Sequence, residues 1–213
     1  MSIAHSGLQH HVDEPLQTGV PLEFSTEDGA TKILGFWLFM VTDVLLFACL
    51  FATYVVLYKH IGAGASAAKL FGDDVSGFTA ETFILLTSSF TCGLATYEMR
   101  HGSHSRLKLW IVITMLLGLS FIGLEVYEFS TFVSHGDTMS TSAFLSAFFT
   151  LVGTHGAHVS LGIIWMGLIL YQISRRGVNP VTARKLFIVS LYWHFLDVVW
   201  VFIFTVVYLT GVM

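Results

Sequence analysis

Five stretches of this chain are long enough to cross a bilayer with hardly a charge among them, at about 33–58, 78–99, 109–133, 143–173 and 186–212. A helix rises 1.5 Å per residue and needs about 20 apolar residues to cross the hydrocarbon layer. Within that layer every backbone polar group must be bonded inside the segment. The five stretches fill most of the 213 residues, so the expected fold is all-α, a single five-transmembrane-helix bundle over 32–213 with no separate soluble module. Composition agrees, because 11% of the residues are charged where soluble domains carry about 25%. A net charge of −4 argues against a nucleic-acid partner.

Residues 1–31 are different in kind. They hold His5, His10 and His11, two prolines, and the acids Asp13, Glu14, Glu23, Glu27 and Asp28. No basic start leads into an apolar run, so this segment reads as a flexible polar tail and not as a cleavable signal peptide. Its three histidines could hold a metal weakly. With five spans, the tail shares a side with the second and fourth connections, which carry Arg100, Arg106, Lys108, Arg175, Arg176, Arg184 and Lys185. The opposite side has Lys59 and Lys69. The positive-inside rule then predicts a cytoplasmic N-terminus and a periplasmic C-terminus. Cys49 and Cys92 fall mid-span without a CxxC pattern, so they read as small packing residues.

Ionisable residues inside the spans are the candidates for function, since each is costly in lipid. The last span carries His194 and Asp197, three apart and therefore on one helix face, among Tyr192, Trp193 and Trp200. They read either as a buried polar pair that fixes helix packing or as a metal-ligand or proton-relay pair. Asp43 stands alone near the middle of the first span and needs a partner or a proton. In the fourth span His155 and His158 share a face, and Gly153/Ala157 and Gly156/Ser160 are small-xxx-small pairs that mark a close helix seam. Glu125 and Glu128 of the third span fall at the height of Glu81 in the second, forming a possible layer of acids. The second span's middle, LLTSSFTCGLAT, is rich in groups that bond between helices. Glu98 and His101 match ExxH but sit at the membrane edge beside Arg100, where a surface ion pair is the simpler reading.

By rise counting, Asp43, His155, His158, His194 and Asp197 fall in one band, and two His with two Asp could hold a metal. Carboxylate-bridged dimetal bundles instead repeat Glu-x-x-His on their helices, a pattern matched here just once, at the edge. The expectation is therefore no metal site and no catalytic residue in this chain. The competing classes are an independent membrane metal oxidoreductase and a transporter.

Four segments carry a resemblance. Tyr192-Trp193-His194-Phe195-Leu196-Asp197-Val198-Val199-Trp200 closely resembles the signature of subunit III of haem–copper respiratory oxidases. Thr154-His155-Gly156-Ala157-His158-Val159 resembles that family's second signature, and Phe121-Ile122-Gly123-Leu124-Glu125-Val126-Tyr127-Glu128 a third. Thr31-Lys32-Ile33-Leu34-Gly35-Phe36-Trp37, leading into Asp43, is similar to the start of the cytochrome o ubiquinol oxidase form. The resemblance covers about residues 30–213. It implies a multi-pass subunit of the bacterial inner membrane, part of a proton-pumping ubiquinol oxidase, with no redox centre of its own. The haems and copper would belong to subunit I, its direct partner, with subunits II and IV in the same complex. The family's full form has seven spans, and loss of the first two favours a quinol donor. Five-span subunits of cytochrome c oxidases and nitric-oxide-reductase-associated homologues are the alternatives. The resemblance further implies that the chain supports proton uptake by subunit I. It also implies bound phospholipid near Asp43, which stands where the family usually has Glu. Trp193 is expected at that lipid too, with Arg175 and Arg176 at headgroup level. Asp43, Glu125, His155, His158, His194 and Asp197 form the expected polar scaffold.

Overall fold

The computed structural model describes residues 21–24, 27–60 and 75–209. It contains five long helices: α1 (Glu27–Leu57), α2 (Val75–Arg100), α3 (His104–Ser134), α4 (Ala143–Arg176) and α5 (Pro180–Ile203). The last runs on as a π-helical segment, Phe204–Leu209. All five are long and apolar enough to cross a membrane. Most begin earlier than the apolar runs suggest. Helical hydrogen bonding continues into polar sequence until a cap or turn stops it.

Those stops are visible. Gly177 ends α4 with φ +71°, a left-handed conformation that glycine adopts without a Cβ clash. Asn179 then caps α5: its Oδ1 accepts from the Thr182 amide, while the Thr182 hydroxyl accepts from the Asn179 amide, with Pro180 in the first turn. Ser142 caps α4 by accepting from the Leu145 amide at 3.1 Å. Ser142→Ala and Asn179→Ala are each expected to cost about 1 kcal/mol, seen as a lowered thermal midpoint.

Helix α5 is the hub, packed against α1, α2 and α4. Helices α2 and α3 form the tightest pair, α4 bridges α3 and α1, and α1 lies on the flank. The most apolar stretch of α1 is 22% buried against 56% for that of α5, so α1 is the helix most open to its surroundings. Its Leu34, Leu38, Val41, Leu45, Val55 and Val56 are exposed. That is the surface a lipid-facing or partner-facing helix presents.

The expected boundary of the flexible tail needs correction at its inner end. Leu22–Phe24 form a 3-10 turn packed on α5. Glu23 is fully buried, and its Oε1 accepts from Arg100 Nε at 3.1 Å and Nη2 at 2.6 Å. The Phe24 ring meets Phe187 edge-on at 5.8 Å. An exposed end of α2 thus supplies the cation that lets an acid of the preceding segment go inside. Helix α1 also absorbs residues 27–31. His5, His10, His11 and the loop acids Asp73 and Asp74 lie outside the described residues. At the opposite end of the bundle Tyr54 and Tyr58 pack on Phe144, and Phe78 stacks on Tyr208 at 4.0 Å. The Phe144 amide donates to the His60 carbonyl at 3.3 Å, tying the end of α1 to the start of α4.

Candidate functional site

The hydroxyl-rich middle of α2 bonds across the bundle. Trp193 Nε1 donates to Ser88 Oγ at 3.0 Å, and Trp200 Nε1 donates to Thr82 Oγ1 at 3.1 Å. The hydroxyl of Thr96 and the thiol of Cys92 both reach Ser190 Oγ, at 3.2 and 3.5 Å. Thr91 and Thr114 share a bond of 2.8 Å between α2 and α3. Two indoles are thereby buried with their N–H groups satisfied, which is what a Trp in a core requires. Cys92 is buried within this network, while Cys49 is exposed on α1.

Trp193, expected at lipid, is instead 2% exposed. Its ring lies between two glycines, where a Cβ at Gly118 would come within 2.8 Å of it and one at Gly162 within 3.1 Å. Helix α5 is enclosed by three neighbours, so Tyr192, Trp193 and Trp200 fill the interior, while Phe202 stays exposed. The small-residue seam also differs in part from the expected pattern. Gly156 is buried on α3, whereas Ala157 is exposed. The sequence does not show that Gly118 and Gly162 both close on Trp193, because that shared partner is on a third helix.

Asp43 is 6% exposed, and its Oδ1 lies 3.4 Å from His158 Nε2 across the α1–α4 seam. His158 Nδ1 is 2.7 Å from the Thr154 carbonyl, to which it must donate. Nε2 can therefore bond the Asp43 carboxyl only when one of the two carries a shared proton. Tyr192 Oη donates to the His158 carbonyl at 3.2 Å and closes this corner. His155, one turn away, faces inward. It is 0% exposed among Phe47, Phe121 and Trp200, and neither ring nitrogen has a hydrogen-bond partner among the described residues.

Glu125 is 5% exposed, with its carboxyl against Gly156. Glu81 is 1% exposed and so is enclosed within the bundle. His194 and Asp197 share a face without an ion pair between them. His194 Nδ1 instead meets Ser89 Oγ at 2.6 Å, and Ser89 also stands beside Asp197. All three line an open recess of about 420 Å³ between α2 and α5.

The band of five ionisable residues is thus divided. Asp43 and His158 lie between α1 and α4, His155 lies in the core, and His194 and Asp197 lie between α2 and α5. Among the described residues no three His, Cys, Asp or Glu side chains are placed to share an ion. The ExxH pair is an edge feature. Glu98 lies 3.4 Å from Arg106, and His101 stacks on Tyr97 at 4.1 Å. Arg175 and Arg176 are exposed at the end of α4, with Arg175 over the Tyr171 ring at 5.7 Å.

Residues 24–212 match the family model described as cytochrome c oxidase subunit III. The quinol oxidase subunit 3 of Bacillus subtilis (strain 168) is 50% identical over 91% of this chain and 94% of its own length. The cytochrome c oxidase subunit 3 of Bacillus sp. (strain PS3) is 48% identical over 94% of this chain and 98% of its own. A probable quinol oxidase subunit 3 of Staphylococcus aureus (strain USA300) is 49% identical over 89% and 94%.

Proposed function

Because the chain belongs to the subunit III family of haem–copper respiratory oxidases, we propose that it is the non-catalytic subunit III of a proton-pumping cytochrome o-type ubiquinol oxidase. In this reading subunit I holds the haems and copper, and this chain lies against it, with subunits II and IV in the same complex. The assembly sits in the bacterial inner membrane with this chain's N-terminus in the cytoplasm. That orientation follows from the basic residues Arg100, Arg106, Arg175, Arg176 and Arg184, which cluster at one set of helix ends. Family membership over nearly the whole chain is the observation that carries the reading.

The chain's work is then mechanical and electrostatic. It covers one flank of subunit I, holds phospholipid near Asp43 and at Arg175 and Arg176, and supports proton uptake by its neighbour. The exposed apolar flank of α1 suits lipid, and Asp43 lies just inside it. The electron donor has a second reading. A relative named for cytochrome c oxidase matches over 98% of its own length. Likeness to this family therefore does not by itself separate a quinol from a cytochrome c donor.

Gentle purification through a tag on this chain tests the proposal. The expected result is co-elution of the other oxidase chains, a haem spectrum, and oxidation of ubiquinol in preference to cytochrome c. A chain that isolates alone with stoichiometric iron or copper and turns over a substrate unaided would overturn it. Within the complex, Asp43→Asn is expected to leave haem content unchanged while altering retained lipid or the lifetime of turnover. An unchanged lipid complement with steady activity over many turnovers would refute that assignment.

A further inference from the structure

We infer that the recess around Ser89, His194 and Asp197 is the seat of a transmembrane helix from a neighbouring oxidase subunit, one that brings a hydrogen-bonding side chain to mid-membrane depth. This deepens the proposed function and rests on it for the identity of the neighbour. The three polar residues sit near the middle of their spans, in Gly77–Arg100 and Pro180–Leu209. Their recess is flanked by the exposed Leu86 and Phe90, so it opens sideways from the bundle and not toward water. An acid and an imidazole at such a mouth would face acyl chains unless another chain covered them, and ionisable groups in spans almost always face protein or a hydrated cavity.

The hydrogen bonding specifies the partner's chemistry. His194 Nδ1 is engaged by Ser89 at 2.6 Å, and Nε2 has no partner among the described residues. Asp197 is 7% exposed and lines the same recess. Ser89 has one hydroxyl hydrogen and stands beside both His194 Nδ1 and Asp197, so Nε2 is a donor when that hydrogen goes to Nδ1 and an acceptor when it goes to Asp197. A side chain that both donates and accepts, such as an amide or hydroxyl, answers either arrangement. A phospholipid headgroup does not reach this depth, so the occupant is a protein helix.

Gly93 makes the recess testable without disturbing the fold. A Cβ there would meet nothing within 4 Å, yet the residue lines the recess. Gly93→Trp would fill the seat from its own wall. Gly123 on α3 is equally open and serves as the control. Complexes carrying Gly93→Trp, Gly123→Trp, His194→Leu or no change would be purified through a tag on the catalytic subunit, and the amount of this chain retained measured after a detergent wash. The expected result is at least a tenfold loss of retention for Gly93→Trp, a loss for His194→Leu, and none for Gly123→Trp. A photoreactive cross-linker at Phe90 in native membranes should then join this chain to another oxidase subunit. Full retention of Gly93→Trp, or cross-linking at Phe90 to lipid or quinone alone, would overturn the inference. If instead the unaltered chain never co-purifies with an oxidase, the proposed function has failed at its own step, before the recess is in question.

Discussion

Trp193→Ala is expected to destabilise the protein by about 3–5 kcal/mol, the range for truncating a large aromatic in a packed core. The indole is 2% exposed and fills the space left by Gly118 and Gly162, so its removal leaves a cavity beside two residues without side chains. In a bilayer this loss is chiefly van der Waals contact and hydrogen bonding, because lipid gives helices no hydrophobic incentive to associate. The Ser88 hydroxyl donates to the Leu85 carbonyl at 2.7 Å and uses its lone pair for the indole N–H. Trp193→Phe should therefore lose less, keeping most of the ring volume and forfeiting the bond. Thermal unfolding of the complex in mild detergent, followed by aggregation of this chain, reads both. Equal midpoints for Trp193→Ala and the unaltered protein would show that the ring is not the packing centre of the bundle.

Gly156→Leu is expected to cost about 3 kcal/mol, at the upper end of overpacking losses. A Cβ at Gly156 would lie 2.5 Å from both carboxyl oxygens of Glu125. Those oxygens are the far end of a flexible side chain, so Gly156→Ala can be accommodated by swinging the carboxyl aside. A leucine cannot, and α3 and α4 must separate. The cause is separable by a double-mutant cycle. Glu125→Ala in the Gly156→Leu background should recover part of the loss, because it removes the group that is struck. Gly123→Leu, on an open face of α3, should be near neutral. Additive losses for the pair would show that Glu125 is not the obstacle.

The membrane class, the number of helices and their approximate bounds were legible in the chain, since apolar length and scarcity of charge are properties of single segments. The turn at Gly177 and Pro180 was legible as well, whereas the capping box at Asn179 came from the structure. The scaffold residues were legible as a set, because an ionisable group in a span stands out by its cost. Their partners were not. His194 and Asp197, three apart on one face, look like a pair, but the hydroxyl of Ser89 on another helix takes the imidazole. Trp193, placed at lipid by the family resemblance, is enclosed by glycines of α3 and α4.

Sequence alone thus settled which segments are long and apolar enough to cross a membrane and which side chains would be costly there, because hydropathy and helical rise depend on each segment's own residues. Tertiary structure decided which helix answers each one: α4 for Asp43, α2 for His194, and the small residues of α3 and α4 for Trp193. The reason is physical. Helices in lipid choose neighbours by close fit and by hydrogen bonds between side chains, and both depend on how each helix is rotated about its axis.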